Sequence, residues 1–552
     1  MTNRLPSAHD AHVSVPSGFG GIFRTDLPAR AMYAEGAGIA RCVPVGVTVP
    51  QDANDVAVLV RWARAAGHTV VPRGSGSGMA AGAVGPGVIV DVSRFSHIGP
   101  VDVASRRIRV GVGALRGAVD AAARAVGLRF PVDPSSSAFC TIGGMAATNA
   151  AGARTLRYGA TRAWVTGLRC VVDNGADVWI RRDAPLPLHV PAIARLTSTL
   201  DALRTHATMA SLTHAGVRKE SSGYAIAAAL SPAGHLIDLL IGSEGTLAVF
   251  LEVELALTTV AGATATVMST YASLDHAIAC AVDTSSMGAS ACELLDRTFL
   301  DVAASDGPTG VPHGADAVLL SEVEGVDAAE AAHNAERLAA LCRRHRATNV
   351  STAMDDAAEH RLWALRHAAS PILSRLAPRV RSMQFIEDGC VPPDRFAEYV
   401  RGVRATLSRF DMPGVIFGHA GDAHAHVNPL VDVTRSDWRA RVHGALADVC
   451  ALTARLGGTL AGEHGDGRLR APLLHHVWPV EARAAFANIK AAADPAGVFN
   501  AGCKVSQQGD EAIEIIRHDP AAPPLDPRAR AALDVIERDR AWHRFRLDAL
   551  EG

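Results

Sequence analysis

Residues 70–87 read VVPRGSGSGMAAGAVGPG. A β-branched pair leads straight into Gly74, Gly76, Gly78 and Gly82, so a strand runs into a loop whose bare backbone N–H groups can approach and surround a phosphate. A dinucleotide fingerprint of the Rossmann kind needs its glycines to open a helix. Here the loop passes through Gly85-Pro86-Gly87 into another strand, GVIVDVS (87–93), and leaves no room for a helix. A Rossmann fold is therefore disfavoured. Taken alone, the loop reads equally well as a flexible turn or a phosphate cradle.

The surroundings change that balance. Upstream, CVPVGVTVP, the amphipathic DVAVLVRWARAAG and HTVVPRG read as strand, helix, strand. Downstream, IRVGVG, LRCVVDNGADVWI with its DNGAD hairpin turn, and LAVFLEVELAL are further strands, which makes the region to about residue 260 α+β. A second loop, PVDPSSSAFCTIGGMAATNAAGARTLRYG (131–159), joins Gly143-Gly144 to a run of small residues that can pack against a flat or anionic ligand. A third, IGSEGTLAVF (241–250), places Glu244 between Gly242 and Gly245. Three such loops around one α+β region form the walls of a long cofactor groove. From about 263 to 470 the pattern becomes short strands backed by helices such as DAAEAAHNAERLAALCRRH, a second domain. A helix within 480–505 stops at Asp-Pro-Ala-Gly, a Pro-rich linker HDPAAPPLDP follows, and an amphipathic helix at about 527–549 ends the chain. The expected units are 1–39, 40–262, 263–470, 471–505 and 506–552.

Composition bounds the function. A chain of 552 residues, at ~150 residues per domain, folds as several units. With 48% hydrophobic residues, 20% charged and a net charge of -2, it has no basic excess to suggest a nucleic-acid partner. The nine cysteines are odd in number and never spaced Cys-x-x-Cys, which argues against a disulfide framework, an iron–sulfur domain or a zinc ribbon. The N-terminus has no apolar signal region, and no uncharged apolar stretch of about 18 residues occurs, so a cytoplasmic location is expected.

Two stretches carry candidate chemistry. In FGHAGDAHAHVNPL (417–430), His424 and His426 face the same side of a strand, and His419 precedes a Gly421–Asp422 turn that folds it back toward them. Imidazoles plus one carboxylate suit zinc, manganese or a similar divalent ion with an open position, although a polar surface hairpin has the same composition. AGEHGDG (461–467) offers the carboxylate, Glu463, beside His464, with no Lys or Arg before Arg468 to account for a surface ion pair. Its bland reading is a polar turn. In LWALRHAASPILSR, Arg366 stands on an otherwise apolar helix. A lone Arg there is usually a solvated charge, but a guanidinium also holds a carboxylate by two parallel hydrogen bonds.

In order along the chain, PRGSGSG, DPSSSAFCTIGG, RYGATRAWVTGL, IGSEGTLAV and DPAGVFNAGCK resemble the FAD-linked oxidases of the vanillyl-alcohol oxidase type, in the branch of D-lactate, glycolate and D-2-hydroxyglutarate dehydrogenases. The resemblance runs from about residue 40 to 505. It implies an α+β architecture: a bipartite FAD-binding domain, a ferredoxin-like α+β cap, and a C-terminal segment returning to the FAD domain. It further implies that Arg73, Gly74, Ser75, Gly76, Ser77 and Gly78 cradle the pyrophosphate. Asp133, Pro134, Thr141, Gly143, Gly144, Asn149 and Tyr158 would line the flavin groove, and Glu244, Gly245 and Asn500 would close it. Relatives with covalent flavin carry a histidine where this chain has Ser77, so FAD is expected to be non-covalent. NAGCK departs from the usual Asn-Pro-Gly-Lys and leaves the role of Lys504 open.

The same resemblance assigns His419, His426 and Glu463 as metal ligands, with His424 a spectator, a substitute ligand or a group behind the ligands. His464 becomes the base, Arg366 the carboxylate clamp, Ser370 and Asn428 polar helpers, and Arg381 a contact for a second carboxylate. The implied activity is metal-assisted oxidation of a D-2-hydroxy acid, with electrons passed to a quinone, cytochrome or electron-transfer protein. A homo-oligomer with peripheral contact to the inner face of the membrane is expected. The rival readings are an alcohol or sugar oxidase and a non-catalytic FAD-carrying subunit of a glycolate-oxidising complex; the intact Glu463–His464 pair argues against the latter. An alkyl-ether lipid synthase is disfavoured by the three histidines.

Overall fold

The computed structural model describes residues 13–206, 209–305, 311–312, 314–373 and 379–551, without the side chains of 206 and 367–373. The phosphate-loop strand belongs to a small sheet of β1 (Ile22–Arg24), β2 (Gly46–Val49), β3 (Val70–Arg73) and β4 (Val88–Asp91), ordered β1-β2-β4-β3, with β2 and β3 parallel to β4. The parallel β2→β3 connection needs a crossover, which the helix Ala53–Ala66 supplies. Asp52 caps its N-terminus, and Gly67 at φ 70° ends it.

A second, antiparallel sheet contains β5 (Ile98–Asp102), β6 (Arg107–Gly111), β8 (Val165–Val171), β9 (Asp177–Arg181) and β10 (Val249–Ala256), in the order β5-β6-β10-β8-β9. DNGAD turns β8 into β9 as expected. A ribbon of β7 (Leu128–Arg129) with β11 (Thr258–Thr259) lies beside it.

The cap is built on β12 (Ala263–Tyr271), β13 (Ala291–Asp296), β14 (Ala317–Gly325) and β15 (Asn349–Ala353), ordered β15-β12-β14-β13. Helices Leu274–Thr284 and Ala328–Arg344 fill the β12→β13 and β14→β15 connections, so this is the expected ferredoxin-like unit. β18 (Gly414–Gly418) adds to β13, β19 (His424–Asp432) adds to β18, and β16 (Val380–Ser382) and β17 (Gly389–Cys390) pair with β19. The cap sheet thereby grows outward until its added strands carry the histidines.

Leu474, Trp478, Phe486, Ile489 and Phe499 share one hydrophobic core with residues 56–257, so the segment after the cap rejoins the first domain. The helix Val480–Ala493 ends at Asp494, before Pro495. The single C-terminal helix expected at about 527–549 is two, Pro527–Arg538 and Arg546–Glu551. Arg540 at φ 52° and the Ala541 N–H donating to the Ile536 carbonyl close the first with a left-handed cap. Eight of the nine unpaired cysteines are buried, as core thiols. No helix among the described residues is long and apolar enough to cross a membrane.

Candidate functional site

One cavity of about 1370 Å³ runs between the two domains; Gly74–Gly78, Gly143, Gly144, Glu244 and Gly245 line it, as do His419, His426, Glu463 and His464. Along Gly74–Gly78 no backbone N–H donates to a protein acceptor among the described residues, so five successive amides remain for a ligand. Glycine is needed where the walls touch: a Cβ at Gly74 would lie 2.3 Å from Thr141 Oγ1, and one at Gly143 2.5 Å from Val112. Thr141 caps the helix Ile142–Thr148, whose Gly143–Gly144 turn faces the cavity. Asp133 and Pro134 also line it. Together these residues fit a long flavin dinucleotide.

Glu244 (φ 54°) turns its carboxylate away to accept from the N–H groups of Asp466 (2.7 Å) and Gly467 (2.8 Å) and to pair with the buried Lys504 at 2.9 Å. Lys504 also meets Asp466 at 3.1 Å. Its role is thus a buried tie between the third loop and the Glu463–His464 loop. Asn500 donates to the carbonyls of Gly82 (2.8 Å) and Glu244 (2.7 Å) and so ties two wall segments together, without lining the cavity itself.

Two expected flavin-lining residues do not reach the cavity. Asn149 is the left-handed C-cap of its helix, and its Oδ1 accepts from the Arg162 N–H. Tyr158 gives its hydroxyl to Glu324 of the cap. Both are consumed in holding backbone and domains in place. Arg73 borders the loop, but its guanidinium is spent on the carbonyls of Tyr33, Ala83 and Glu35.

The strand β19 and the preceding turn, with Ala423 at φ 55°, bring the three imidazoles into one buried cluster. His419 gives Nδ1–H to Glu293, and His426 gives Nδ1–H to the Glu387 carbonyl at 3.1 Å. Each ring therefore turns its Nε2 inward as the atom left for a proton or a metal; the two lie 3.4 Å apart, and Glu463 Oε1 lies 3.0 Å from His419 Nε2 and 3.2 Å from His426 Nε2. Three lone pairs facing one another at these distances need a proton or a cation among them. The separations match the edges of a coordination sphere with bonds of about 2.1 Å, which run from about 3.0 Å (octahedral) to about 3.4 Å (tetrahedral). A carboxylate and a carbonyl behind the two rings is the support that imidazole ligands use. The donor set fits a divalent metal. Without one, Glu293 and Glu463 raise the His419 proton affinity against the opposing effect of burial.

His424 is fully buried, donates to Asp388 at 2.8 Å, and leaves Nδ1 without a partner among the described residues, beside the same cluster. Burial first, then its neighbour His426, pushes its pKa down to about 3, so the ring is neutral. Glu463 is anchored by a cation that the local sequence did not disclose: Lys219 Nζ lies 3.3 Å from Oε2. Burial alone would raise its pKa, but Lys219 and His419 hold it well below the usual carboxylate range.

His464 stacks on His426 with ring centroids 5.2 Å apart, and its Nδ1 donates to Glu387 at 2.7 Å. Nε2 is then the atom free to take a proton; it lies 3.7 Å from Glu463 Oε1. Burial disfavours the charged ring, but Glu387 and Asp388 overcome this and raise the pKa to about 10. Asp388 also accepts from the backbone N–H of His464 at 2.9 Å, and Arg470 pairs with both carboxylates. Arg366 lines the cavity, gives Nε–H to Glu293 at 2.6 Å and lies over the Phe417 ring. Its terminal nitrogens carry no hydrogen bond among the described residues. Asn428 lines the same space. The Ser370 side chain lies outside the described residues. Arg381 does not line the cavity; it pairs across β16–β19, and its charge falls on His518.

Glu293, Glu387, Asp388, Lys219 and Arg470 were not singled out in the sequence. Two left a trace: Glu293 interrupts the apolar strand ACELLD, and Glu387-Asp388 interrupt QFIEDGCV. A carboxylate in an apolar run must find a partner when it is buried. Lys219, in VRKESSGY, left none.

Residues 44–181 match the FAD binding domain family, and residues 261–503 match the C-terminal domain of FAD linked oxidases. The chain is 29% identical over 465 residues to the glycolate oxidase subunit GlcD of Bacillus subtilis, covering 83% of this chain and 88% of that protein. It is 29% identical over 519 residues to D-2-hydroxyglutarate dehydrogenase of Escherichia coli, covering 88% of this chain and 50% of that one. Among solved structures, alkyldihydroxyacetonephosphate synthase superposes with a TM-score of 0.59 at 13% identity, over 87% of this chain and 81% of that one, a likeness of fold alone.

Proposed function

Because the chain belongs to the FAD-linked oxidases, we propose that it oxidises a D-2-hydroxy acid to the 2-oxo acid at a metal-assisted site, with His464 as base. Relatives named for glycolate and D-2-hydroxyglutarate support that substrate class. The observation that carries the reading is the convergence of His419, His426 and Glu463 beside His464, in the same cavity as the phosphate loop.

The terminal nitrogens of Arg366 hold the substrate carboxylate, and the Glu293 bond to Nε fixes the direction in which they point. His464 Nε2 receives the hydroxyl proton while Nδ1–H stays on Glu387, which stabilises the imidazolium as it forms. Asp388 holds the His464 backbone, so the ring meets the substrate in one orientation. The glycine loops would hold FAD, whose chemistry would be to accept the hydride leaving Cα. His419, His426 and Glu463 would hold a divalent cation, which would lower the cost of the alkoxide and of a neutral His464. The electrons then pass to a quinone, cytochrome or electron-transfer protein.

The test is anaerobic mixing of the holoenzyme with D- and L-2-hydroxy acids while the flavin absorbance is followed. Bleaching by the D-series alone is expected. Bleaching by neutral alcohols or sugars, with KM unchanged in Arg366→Ala, would instead establish the alcohol-oxidase alternative.

A further inference from the structure

The last 25 residues that the structure describes, 527–551, are not a tail. Helices Pro527–Arg538 and Arg546–Glu551 pack on the helix Leu27–Met32 and the small sheet in a core that includes Leu533, Ile536, Trp542 and Leu547. Between and beside them, Arg540 and Trp542 line the cavity next to Phe139, over whose ring Arg540 lies. Arg546 is 3% exposed, stacks on Trp542, and donates one bond, Nη2 to the Ser75 carbonyl at 3.3 Å. Its Nε and Nη1 are buried and find no hydrogen-bond partner among the described residues.

Beneath the same loop, Arg73 is 1% exposed and, among the described residues, is bonded only to backbone carbonyls, with Nε unpartnered. The nearby carboxylate, Asp91, accepts from the Tyr33 hydroxyl at 2.6 Å and from the Ser93 N–H, and among the described residues neither arginine hydrogen-bonds to it. Two buried guanidiniums thus face one carboxylate. An excess buried positive charge is strongly unfavourable unless an anion offsets it. Burial and the charge of Arg73 push the Arg546 pKa down to about 9. The Ser75–Gly76 peptide is planar and trans, so holding the Ser75 carbonyl on the Arg546 side turns the Gly76 N–H to the opposite side.

We propose that the C-terminal segment 527–551 is a working part of the dinucleotide site. Arg546 supplies counter-charge to the cofactor's diphosphate from beneath the loop and orients the loop amides, while Trp542 and Arg540 close the wall. Arg546 is a positioning residue, acting through Ser75 and Gly76. The proposal rests on FAD binding and on neither substrate nor metal.

The test uses full-length Arg546→Gln, stripped of flavin and titrated with FAD, ADP and riboflavin, with flavin fluorescence or equilibrium dialysis as readout. FAD and ADP are expected to bind about tenfold or more weakly, with riboflavin, which has no phosphate, unchanged. Melting of the apoprotein is expected to be unchanged or raised, because an unpaired buried charge has been removed, and Arg546→Lys should recover part of the ADP affinity. A lowered apoprotein melting point with wild-type FAD and ADP affinity would overturn the proposal and make Arg546 a structural strut. Should Arg546→Gln fail to fold, Arg540→Ala changes an exposed side chain; weaker FAD binding supports the proposal, and wild-type binding overturns it. Loss of substrate oxidation with FAD affinity intact would bear on the proposed reaction instead.

Discussion

In Glu293→Gln the side chain keeps its shape and loses the charge on which His419 and Arg366 both depend. The two carboxylate oxygens accept from two donors, His419 Nδ1–H and Arg366 Nε–H. A glutamine offers one acceptor and one NH2, so one partner meets a donor. If it is His419, the ring exchanges tautomers and Nε2 gains a proton that points at Glu463. Removing one member of a buried charge pair costs about 3–5 kcal/mol, the same order as the about 4 kcal/mol of Coulomb energy between unit charges ~4 Å apart at an effective dielectric of 20. Loss of a carboxylate supporting a ligating histidine lowers metal affinity about 10- to 100-fold. The assay is metal content after graded chelator dialysis, joined to thermal melts from about pH 2 to about pH 8, which spans the fall below the unfolded carboxylate pKa. His419 and Arg366 hold the Glu293 pKa far below its ordinary value despite burial. Its stabilising effect is therefore complete above the unfolded pKa of about 4.3 and fades as pH falls toward the folded one. The variant should lose stability at neutral pH and show a flatter acid limb. Wild-type metal retention together with an unchanged acid limb would refute the assignment of Glu293 as the shared anchor.

His464→Gln should retain FAD and metal but lose substrate-driven flavin bleaching in anaerobic mixing by about 10²-fold or more; normal reduction refutes the base. In Glu463→Ala, the roughly one divalent ion per chain found by elemental analysis should disappear; a wild-type protein that never carries a metal returns the cluster to a set of buried, protonated histidines. Glu387→Gln removes the chief charge that raises His464, so the alkaline rise of activity with pH should shift to lower pH, as read from kcat/KM profiles; an unshifted profile would separate the two residues. Lys504→Met leaves Glu244 and Asp466 without their shared cation and should destabilise the fold by about 3–5 kcal/mol in denaturant titration.

Local pattern made much of this molecule legible. The glycine loop after β3, the DNGAD hairpin and the helix stop at Asp494-Pro495 are short-range consequences of backbone freedom and constraint, and each occurs where the sequence places it. The alternation in HAHVN put His424 and His426 on one face of β19 in the same way, because strand periodicity depends on neither the rest of the chain nor the solvent. A hydrophobic pattern cannot state how a buried charge is satisfied. Asn149 and Tyr158 look like cavity residues until the C-cap and the cap domain claim their polar atoms. Glu463 looks unpaired until Lys219 arrives from the first domain, and Arg546 looks like one more exposed arginine until the small sheet buries it beneath Ser75. Periodicity and turn chemistry are properties of a few consecutive residues and were decided by the sequence itself. The charge partners, hence the protonation states and the chemistry of the cavity, were decided only by the tertiary structure, because Coulomb and desolvation energies depend on distance in space and not on distance along the chain.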